Sequence, residues 1–360
     1  MCIRDRQYLA GEQPLDKVLL RPEKFYVDRT IDLRTGITVE NIDRDGQFVA
    51  CSDGSLVAYD QLLLATGSRA LRPDLPGIDL GGVHTLRSIA DVDKIRTDME
   101  NASHLVIIGG GYIGLEVASV AKSKEMQVTI LEMEDRILQR VTHPAMSAFY
   151  HELHRAKGVN IKTSSRVTAF VGDGWVNEVV CADGTSVDAD LVIVGVGVVP
   201  NVELAAEVGL ACDNGIVVDE RCATSDSAIF AAGDCTNHPN KLLDRRLRLE
   251  SVPNAMEQSR VAASNLTGGD KKYASIPWFW SDQYDLKLQM VGFSSDADES
   301  ITRGAPETHE FAMFHYRGGK IIAAEAVNSP REFLVAKQLI GKFVDPNALS
   351  NPEVDLKSLI

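Results

Sequence analysis

Gly109, Gly111 and Gly114 form a G-x-G-x-x-G pattern inside "HLVIIGGGYIGLE". That spacing suits a dinucleotide pyrophosphate. The first glycine permits a tight turn, the second lets the backbone approach the phosphates, and the third lets a helix pack close to a strand. The helix N-terminus offers free N–H groups and the positive end of its dipole. Glu132 closes the next apolar run, "QVTILE", 18 residues after Gly114. An acidic side chain there accepts from both ribose hydroxyls and repels a 2′-phosphate, which favours NADH over NADPH. Arg136 and Arg140 are the residues that would favour NADPH instead.

Asp234 ends a second apolar run, "SAIFAAGDC", where its carboxylate can accept from a sugar or ribityl hydroxyl. The eight histidines show no metal spacing such as H-E-x-x-H, and no Ser-His-Asp set is apparent, so no metal ligands are assigned. The six cysteines include no C-x-x-C pair. This argues against a zinc ribbon, a cysteine-bound iron–sulfur cluster and a redox dithiol of that spacing.

The elements that must position these groups follow from the pattern around them. "HLVIIGG" reads as a strand buried on both faces and "YIGLEVASVAKSK" as the helix after it. An internal repeat explains why the fingerprint lies a hundred residues into the chain. Residues 51–67, "CSDGSLVAYDQLLLATG", align without a gap on residues 181–197, "CADGTSVDADLVIVGVG". Cys51, Asp53, Gly54, Asp60 and Gly67 correspond to Cys181, Asp183, Gly184, Asp190 and Gly197. The second copy closes the domain opened by Gly109. The first copy therefore closes an earlier domain of the same kind, whose own fingerprint is expected upstream of Met1.

The bulk properties bound the partners. The length of 360 residues suits two or three domains. A formal net charge of −14 argues against nucleic acid. The longest apolar stretch, "LVIVGVGVV", is too short to span a bilayer, and the first residues have no signal-peptide core. A chain this apolar folds without disulfides, and a cytoplasmic location is expected.

The "LLLATGSR" and "AAGDC" segments, with two nucleotide-binding halves, resemble the flavoprotein pyridine-nucleotide reductases of the glutathione-reductase fold. "ESVPNAMEQSR" and "PWFWSDQY" narrow this to the single-component ferredoxin reductases that serve haem and ring-hydroxylating oxygenases. The resemblance runs from "YLAG" to the end of the chain. It implies an α/β fold: two Rossmann-like FAD- and NAD-binding domains of glutathione-reductase type plus a smaller C-terminal α+β domain. It also implies hydride transfer from NADH to FAD and then single-electron transfer to a two-iron two-sulfur ferredoxin.

The site residues implied by the resemblance are these. Val39, Thr66, Gly67, Arg87, Asp234 and Val252 match FAD-contacting positions, with Asp234 on the ribityl chain. Gly109, Gly111, Gly114 and Glu132 match the NAD phosphate and ribose sites, and Gly197 the second glycine turn over the NAD. Glu116 matches the catalytic carboxylate beside the nicotinamide. Trp280, with Trp278, is expected to pack at the flavin. The acidic ferredoxin is expected to dock on a basic cluster, Lys241, Arg245, Arg246 and Arg248, with Arg260 nearby.

The family opens with a flavin-binding strand and its own glycine fingerprint, and carries a lysine just before "YLAG". Here "MCIRDR" stands in that region. These six residues are expected to be foreign to the family and the opening βαβ unit to be missing. Arg6 falls at the lysine position and receives no role. The expected domains are a first FAD segment at 1–101, an NAD domain at 102–222, a second FAD segment at 223–273 and a C-terminal α+β domain at 274–360. A flavin NADH peroxidase, an oxidase or a coenzyme A disulfide reductase on the same fold remains an alternative, as does an incomplete chain retaining only NAD binding. The cysteine-based enzymes need a cysteine near the flavin, and Cys51, Cys181 and Cys235 fit that poorly.

Overall fold

The computed structural model describes residues 3–360 and their side chains from residue 5. The chain forms two compact units. One comprises residues 14–69 and 198–277; the other comprises residues 3–13, 70–197 and 278–360.

The second unit is built on a five-stranded parallel sheet. Its strand order is Val83–Thr85, Leu191–Val194, His104–Ile108, Gln127–Leu131, Val159–Lys162. The fingerprint strand His104–Ile108 is central, with Ile108 in register with Val194 on one side and Leu131 on the other. Near-continuous apolar runs are what a strand covered on both faces requires. Leu105, Val106 and Ile107 are indeed fully buried, and each such burial contributes about 2 kcal/mol. The helix Tyr112–Ser123 follows the glycine loop. The helix Pro144–Ala156 has a proline in its first turn.

Residues 278–360 add a five-stranded antiparallel sheet to this unit. Its order is Trp278–Gln283, Leu286–Gly292, Lys320–Val327, Glu310–Arg317, Glu299–Ala305. The alternating stretch "HEFAMFHYRGGKIIAAEAV" forms a hairpin of this sheet, and Pro330–Leu339 is the helix after it.

In the first unit, Leu62–Leu64 pairs in parallel with Ile229–Ala231. Ile216–Val217 pairs in parallel with Thr236–Asn240. The core gathers Ile42, Val49, Leu64, Ile216, Ile229 and Ala231. The helix Val252–Leu266 is capped by Ser251, whose hydroxyl accepts from the Asn254 N–H, and has a proline in its first turn.

The internal repeat is reproduced in the fold. Each copy is a three-stranded antiparallel meander: Val39–Asp43, Phe48–Cys51, Leu56–Ala58 in one, and Val167–Gly172, Val176–Cys181, Ser186–Asp188 in the other. Cys51 lies opposite Val39, as Cys181 lies opposite Val167. Asp53 accepts from the N–H and hydroxyl of Ser55, and Asp183 from those of Thr185. Gly54 and Gly184 both take φ +83°, a turn conformation costly for any side chain.

The compact units divide the chain at other points than the sequence boundaries. Residues 70–101 go with the fingerprint because Val83–Thr85 is an edge strand of its sheet. Residues 198–222 go with the first unit because Ile216 pairs with Thr236 and enters that core. No helix among the described residues is long and apolar enough to cross a membrane.

Candidate cofactor and redox site

The glycine loop is shaped as the sequence demands. Gly109 has φ +103°, and a Cβ there would sit 2.6 Å from the Gly195 carbonyl oxygen. A Cβ on Gly114 would meet the Gly109 carbonyl oxygen at 2.2 Å, so helix and strand approach this closely only with glycine. Gly111 is different. It is the N-cap of the helix, makes no side-chain cap bond, and faces open space where a Cβ would be. Open space over a helix N-terminus with uncapped amides is a cradle for a pyrophosphate. Gly197, at φ +123°, also borders open space. The residues present therefore fit an NAD.

Glu132 braces this loop as well as facing it. Its Oε2 accepts from the Gly110 N–H at 2.6 Å and its Oε1 from the Glu134 N–H at 2.8 Å. Each carboxylate oxygen retains acceptor capacity for a ribose hydroxyl. Arg136 is committed elsewhere: one guanidinium nitrogen donates to the carbonyls of Gln139 and Thr142. Arg140 is exposed.

Glu116 lies two residues beyond Gly114 on the same helix, nearly buried at 7 % exposure. The Ser281 hydroxyl donates to its Oε1 at 2.7 Å, and Arg6 Nη2 stands 3.2 Å from its Oε2. Arg6 is itself only 3 % exposed and is also paired with Asp5 at 2.5 Å. Burial pushes the Glu116 carboxyl up to about 7; the Arg6 charge and the Ser281 bond oppose this without cancelling it, and Asp5 and Asp282 add to it. A carboxyl poised near neutrality can take up or release a proton at working pH.

Arg87 lies in this unit, half-buried in the turn before the helix Ile89–Met99, where its N–H donates to Asp91. Trp280 is half-buried on the Trp278–Gln283 strand, its ring centroid 5.6 Å from that of Trp278.

In the first unit, Asp234 is nearly buried and accepts from the Ser68 hydroxyl at 3.0 Å. Gln258, from the Val252–Leu266 helix, sets the loop before it: its Oε1 accepts from the Gly233 N–H and the Thr236 hydroxyl. Its Nε2 is buried with no hydrogen-bond partner among the described residues. Thr66 and Asn201 clamp each other, Thr66 Oγ1 donating to the Asn201 carbonyl at 2.6 Å and Asn201 Nδ2 to the Thr66 carbonyl at 2.9 Å. The Thr66 hydroxyl is thus used within the protein, and Gly67 follows at φ +65°. Val252 opens its helix, while Val39 packs partly buried against the core. A buried aspartate, an orphaned buried amide donor and a helix N-terminus fit the ribityl and ring end of an FAD. No glycine-rich strand–turn–helix for its pyrophosphate occurs among the described residues of this unit.

The sequence alone assigns no role to Arg6, Ser281, Gln258 or Asn201. Ser281 lies within "PWFWSDQY", but its partner is 165 positions away.

The chain belongs to the pyridine nucleotide-disulphide oxidoreductase family, whose pattern matches residues 2–259; a reductase C-terminal domain matches residues 278–360. It is 43 % identical to putidaredoxin reductase CamA of Pseudomonas putida, over 99 % of this chain and 86 % of that protein. It is 40 % identical to rhodocoxin reductase of Rhodococcus erythropolis, over 99 % of this chain and 84 % of that protein. Among solved structures it superposes on the covalent putidaredoxin reductase–putidaredoxin complex with a TM-score of 0.93 at 42 % identity, covering 99 % of this chain and 88 % of that one.

Proposed function

We propose that this chain is an NADH-dependent flavoprotein reductase that passes electrons through FAD to a two-iron two-sulfur ferredoxin serving an oxygenase. The observation that carries the reading is Glu116, a buried carboxyl one turn inside a dinucleotide cradle, held between a cation and a hydroxyl. The relatives named above, similar along nearly the whole chain, support the acceptor class.

When bound, FAD accepts a hydride from NADH and releases the electrons singly. The remaining work falls to this chain. The amides at the start of the Tyr112–Ser123 helix hold the NADH phosphates, with Gly109, Gly111 and Gly114 giving the approach. Glu132 holds the ribose hydroxyls, and Gly197 gives the second glycine turn over the NAD. Glu116 orients the nicotinamide and holds a proton at its carboxyl, with Arg6 and Ser281 fixing its two oxygens. Asp234 accepts from the ribityl chain. Thr66, Gly67, Val39 and Val252 line the flavin. On this reading residues 14–69 with 198–277 are the FAD unit and residues 70–197 the NAD unit, with 278–360 as the C-terminal module.

Cysteine-based chemistry finds little support. Burial pushes the Cys222 thiol up to about 12 and raises Cys181, and even the exposed Cys212 is shifted up rather than activated. A cytoplasmic location belongs to this reading, supported by five free cysteines among the described residues.

The test is anaerobic. Flavin-loaded protein is titrated with NADH, then mixed with an oxidised two-iron ferredoxin, and both absorbances are followed. Bleaching of the flavin by NADH and reduction of two ferredoxins per NADH support the reading. Turnover with coenzyme A disulfide or peroxide in place of ferredoxin overturns it.

A further inference from the structure

A chain of hydrogen bonds leaves Glu116 and crosses the interior of the second unit. The Ser281 hydroxyl lies 2.7 Å from Glu116 Oε1. Gln283 Nε2 lies 3.1 Å from Ser281 Oγ. Gln283 Oε1 lies 2.8 Å from His154 Nε2. His154 Nδ1 lies 3.0 Å from the Tyr284 hydroxyl. Ser281, Gln283 and His154 have no exposed surface, and Tyr284 is half-buried at the outer end.

Three elements hold this chain in place. Ser281 and Gln283 are two apart on the Trp278–Gln283 strand, so both side chains point to one face. His154 comes from the Pro144–Ala156 helix. Tyr284 occupies the two-residue turn after the strand at φ +56°, and its N–H donates to Ser119 Oγ at 2.6 Å. Ser119 sits one turn beyond Glu116 on the fingerprint helix, so that helix anchors both ends of the chain.

The donor inventory gives the chain a direction. An ionised carboxylate only accepts, so the single Ser281 hydrogen points to Glu116. Ser281 Oγ must then accept from the Gln283 amide nitrogen. The Gln283 amide oxygen must then accept from His154 Nε2–H. With Nε2 protonated, neutral His154 leaves Nδ1 as an acceptor, and it takes the Tyr284 hydroxyl hydrogen. Burial raises the Tyr284 phenol, so that hydrogen is present at neutral pH. Burial also carries His154 down to about 4, against the opposing bond from Gln283, so the ring is neutral and has a defined tautomer.

We propose that Tyr284, His154, Gln283 and Ser281 form a one-way hydrogen-bond relay that supports the Glu116 carboxylate and makes His154 and Gln283 positioning residues for it. The other titratable and charged groups around it are fixed by the same packing. Arg6 and Asp5 face Glu116 from the Ile3–Ala10 helix, Asp282 from the strand, and Tyr112 from its own helix. His151 and Tyr150 share the His154 helix, and Lys157 lies over the Tyr284 ring. None of these interrupts the four bonds. Protonated Glu116 can donate as well as accept, so the direction is no longer imposed and its titration is felt at His154. The consequence for turnover rests on the role given to Glu116 above. The relay itself is read without turnover, so the two readings fail separately.

The experiment is NMR on the full chain with 15N-histidine and 13C-glutamate labels. Glu116→Gln assigns the Glu116 signal. At pH 8.5, long-range 1H–15N correlations should show His154 as the Nε2–H tautomer. Its 15N shifts should move with the Glu116 titration in the wild type. Ser281→Ala should raise the Glu116 midpoint by about one pH unit, since a donor to the charged form is lost, and uncouple His154 from it. Gln283→Leu should uncouple His154 while the melting temperature shows the fold retained. An Nδ1–H tautomer at pH 8.5 overturns the relay without any variant. An unchanged Glu116 midpoint in folded Ser281→Ala overturns it as well.

Discussion

Arg6 and Glu116, 110 positions apart in sequence, form a buried ion pair with Nη2 and Oε2 3.2 Å apart. Loss of Arg6 leaves Asp5 and Glu116 without their cation; Glu116, already near 7, can take up a proton, so the cost should fall below that of a stranded buried charge, at about 1–3 kcal/mol. Arg6→Met is therefore expected to destabilise the protein by about that amount in urea unfolding. Arg6→Lys, which keeps the charge, should lose less than half as much. Loss of the cation also removes the main force opposing burial at Glu116, so the Glu116 midpoint in Arg6→Met should move up by at least one unit from about 7. A midpoint that stays or falls would show that Arg6 does not govern this carboxyl.

Glu132 combines two tasks, and its substitution should show both. Glu132→Ala removes the acceptor for the ribose hydroxyls and the bonds to the Gly110 and Glu134 N–H groups. The NADH/NADPH ratio of kcat/KM is expected to narrow at least about tenfold, or roughly 1.4 kcal/mol. The KM for NADH should rise and thermal stability should fall, because the glycine loop loses its brace. Arg136→Ala should leave the ratio within about twofold, since the guanidinium is held in place by the bonds of its Nη2 to the carbonyls of Gln139 and Thr142. Steady-state kinetics with both nucleotides decides each point.

The contrast between these two sites shows what the sequence makes legible. The glycine cradle and Glu132 lie within one strand–helix–strand unit, so local spacing is enough to place them. The repeat is legible for the same reason: Asp53 and Asp183 each bond two residues ahead, and that habit survives alignment of the two copies. Arg6, Ser281 and His154 reach Glu116 only through tertiary packing, and no period in the chain encodes their meeting. The unit boundaries were hidden by the same cause. Val83–Thr85 is three residues long, too short to show alternation, and its place is set by pairing with Leu191–Val194, over a hundred positions away.

Buried histidines should make the protein sensitive to acid. His238 is 1 % exposed, its ring stacks edge-on to Tyr273, and neither ring nitrogen has a hydrogen-bond partner among the described residues. Burial, aided by Arg246, brings it down to about 4 from 6.5. Between those values the unfolded chain binds the proton and the native protein does not, so stability falls as pH drops from about 6.5 toward 4. Glu116 has the opposite sign: raised from 4.5 to about 7, it binds the proton in the native state, and stability falls as pH rises through that window. The difference between His238→Phe and the wild type isolates the histidine. The variant should gain on the wild type as pH falls, by up to about 3 kcal/mol near pH 4. Urea unfolding at pH 7.5, 6, 5 and 4.5 measures it, and parallel curves would exclude His238 as a source of the acid limb.

The basic cluster proposed for ferredoxin docking is uneven. The Arg246 guanidinium donates to Asn237 Oδ1 at 3.0 Å and to the Val218 carbonyl at 2.6 Å, so it holds its own unit together. Arg248 donates to Asn214 and pairs with Glu250, and Lys241 stands 3.5 Å from Glu220. Arg245 and Arg260 are exposed and suited to an outside partner. Both partners are taken to be acidic overall, so complementary local charge should govern their encounter. Arg245→Glu is expected to raise the KM for ferredoxin several-fold at low salt and to flatten its salt dependence. Reduction of bound flavin by NADH should stay within about twofold, since Arg245 is given no contact with the flavin or the NADH. Arg246→Glu should instead lower thermal stability, because the carbonyl of Val218 and the side chain of Asn237 lose their donor. Stopped-flow flavin reduction, ferredoxin turnover at two ionic strengths and melting curves on both variants separate these effects. An unaltered ferredoxin KM in Arg245→Glu and Arg260→Glu across both salts would move the docking face elsewhere on the molecule.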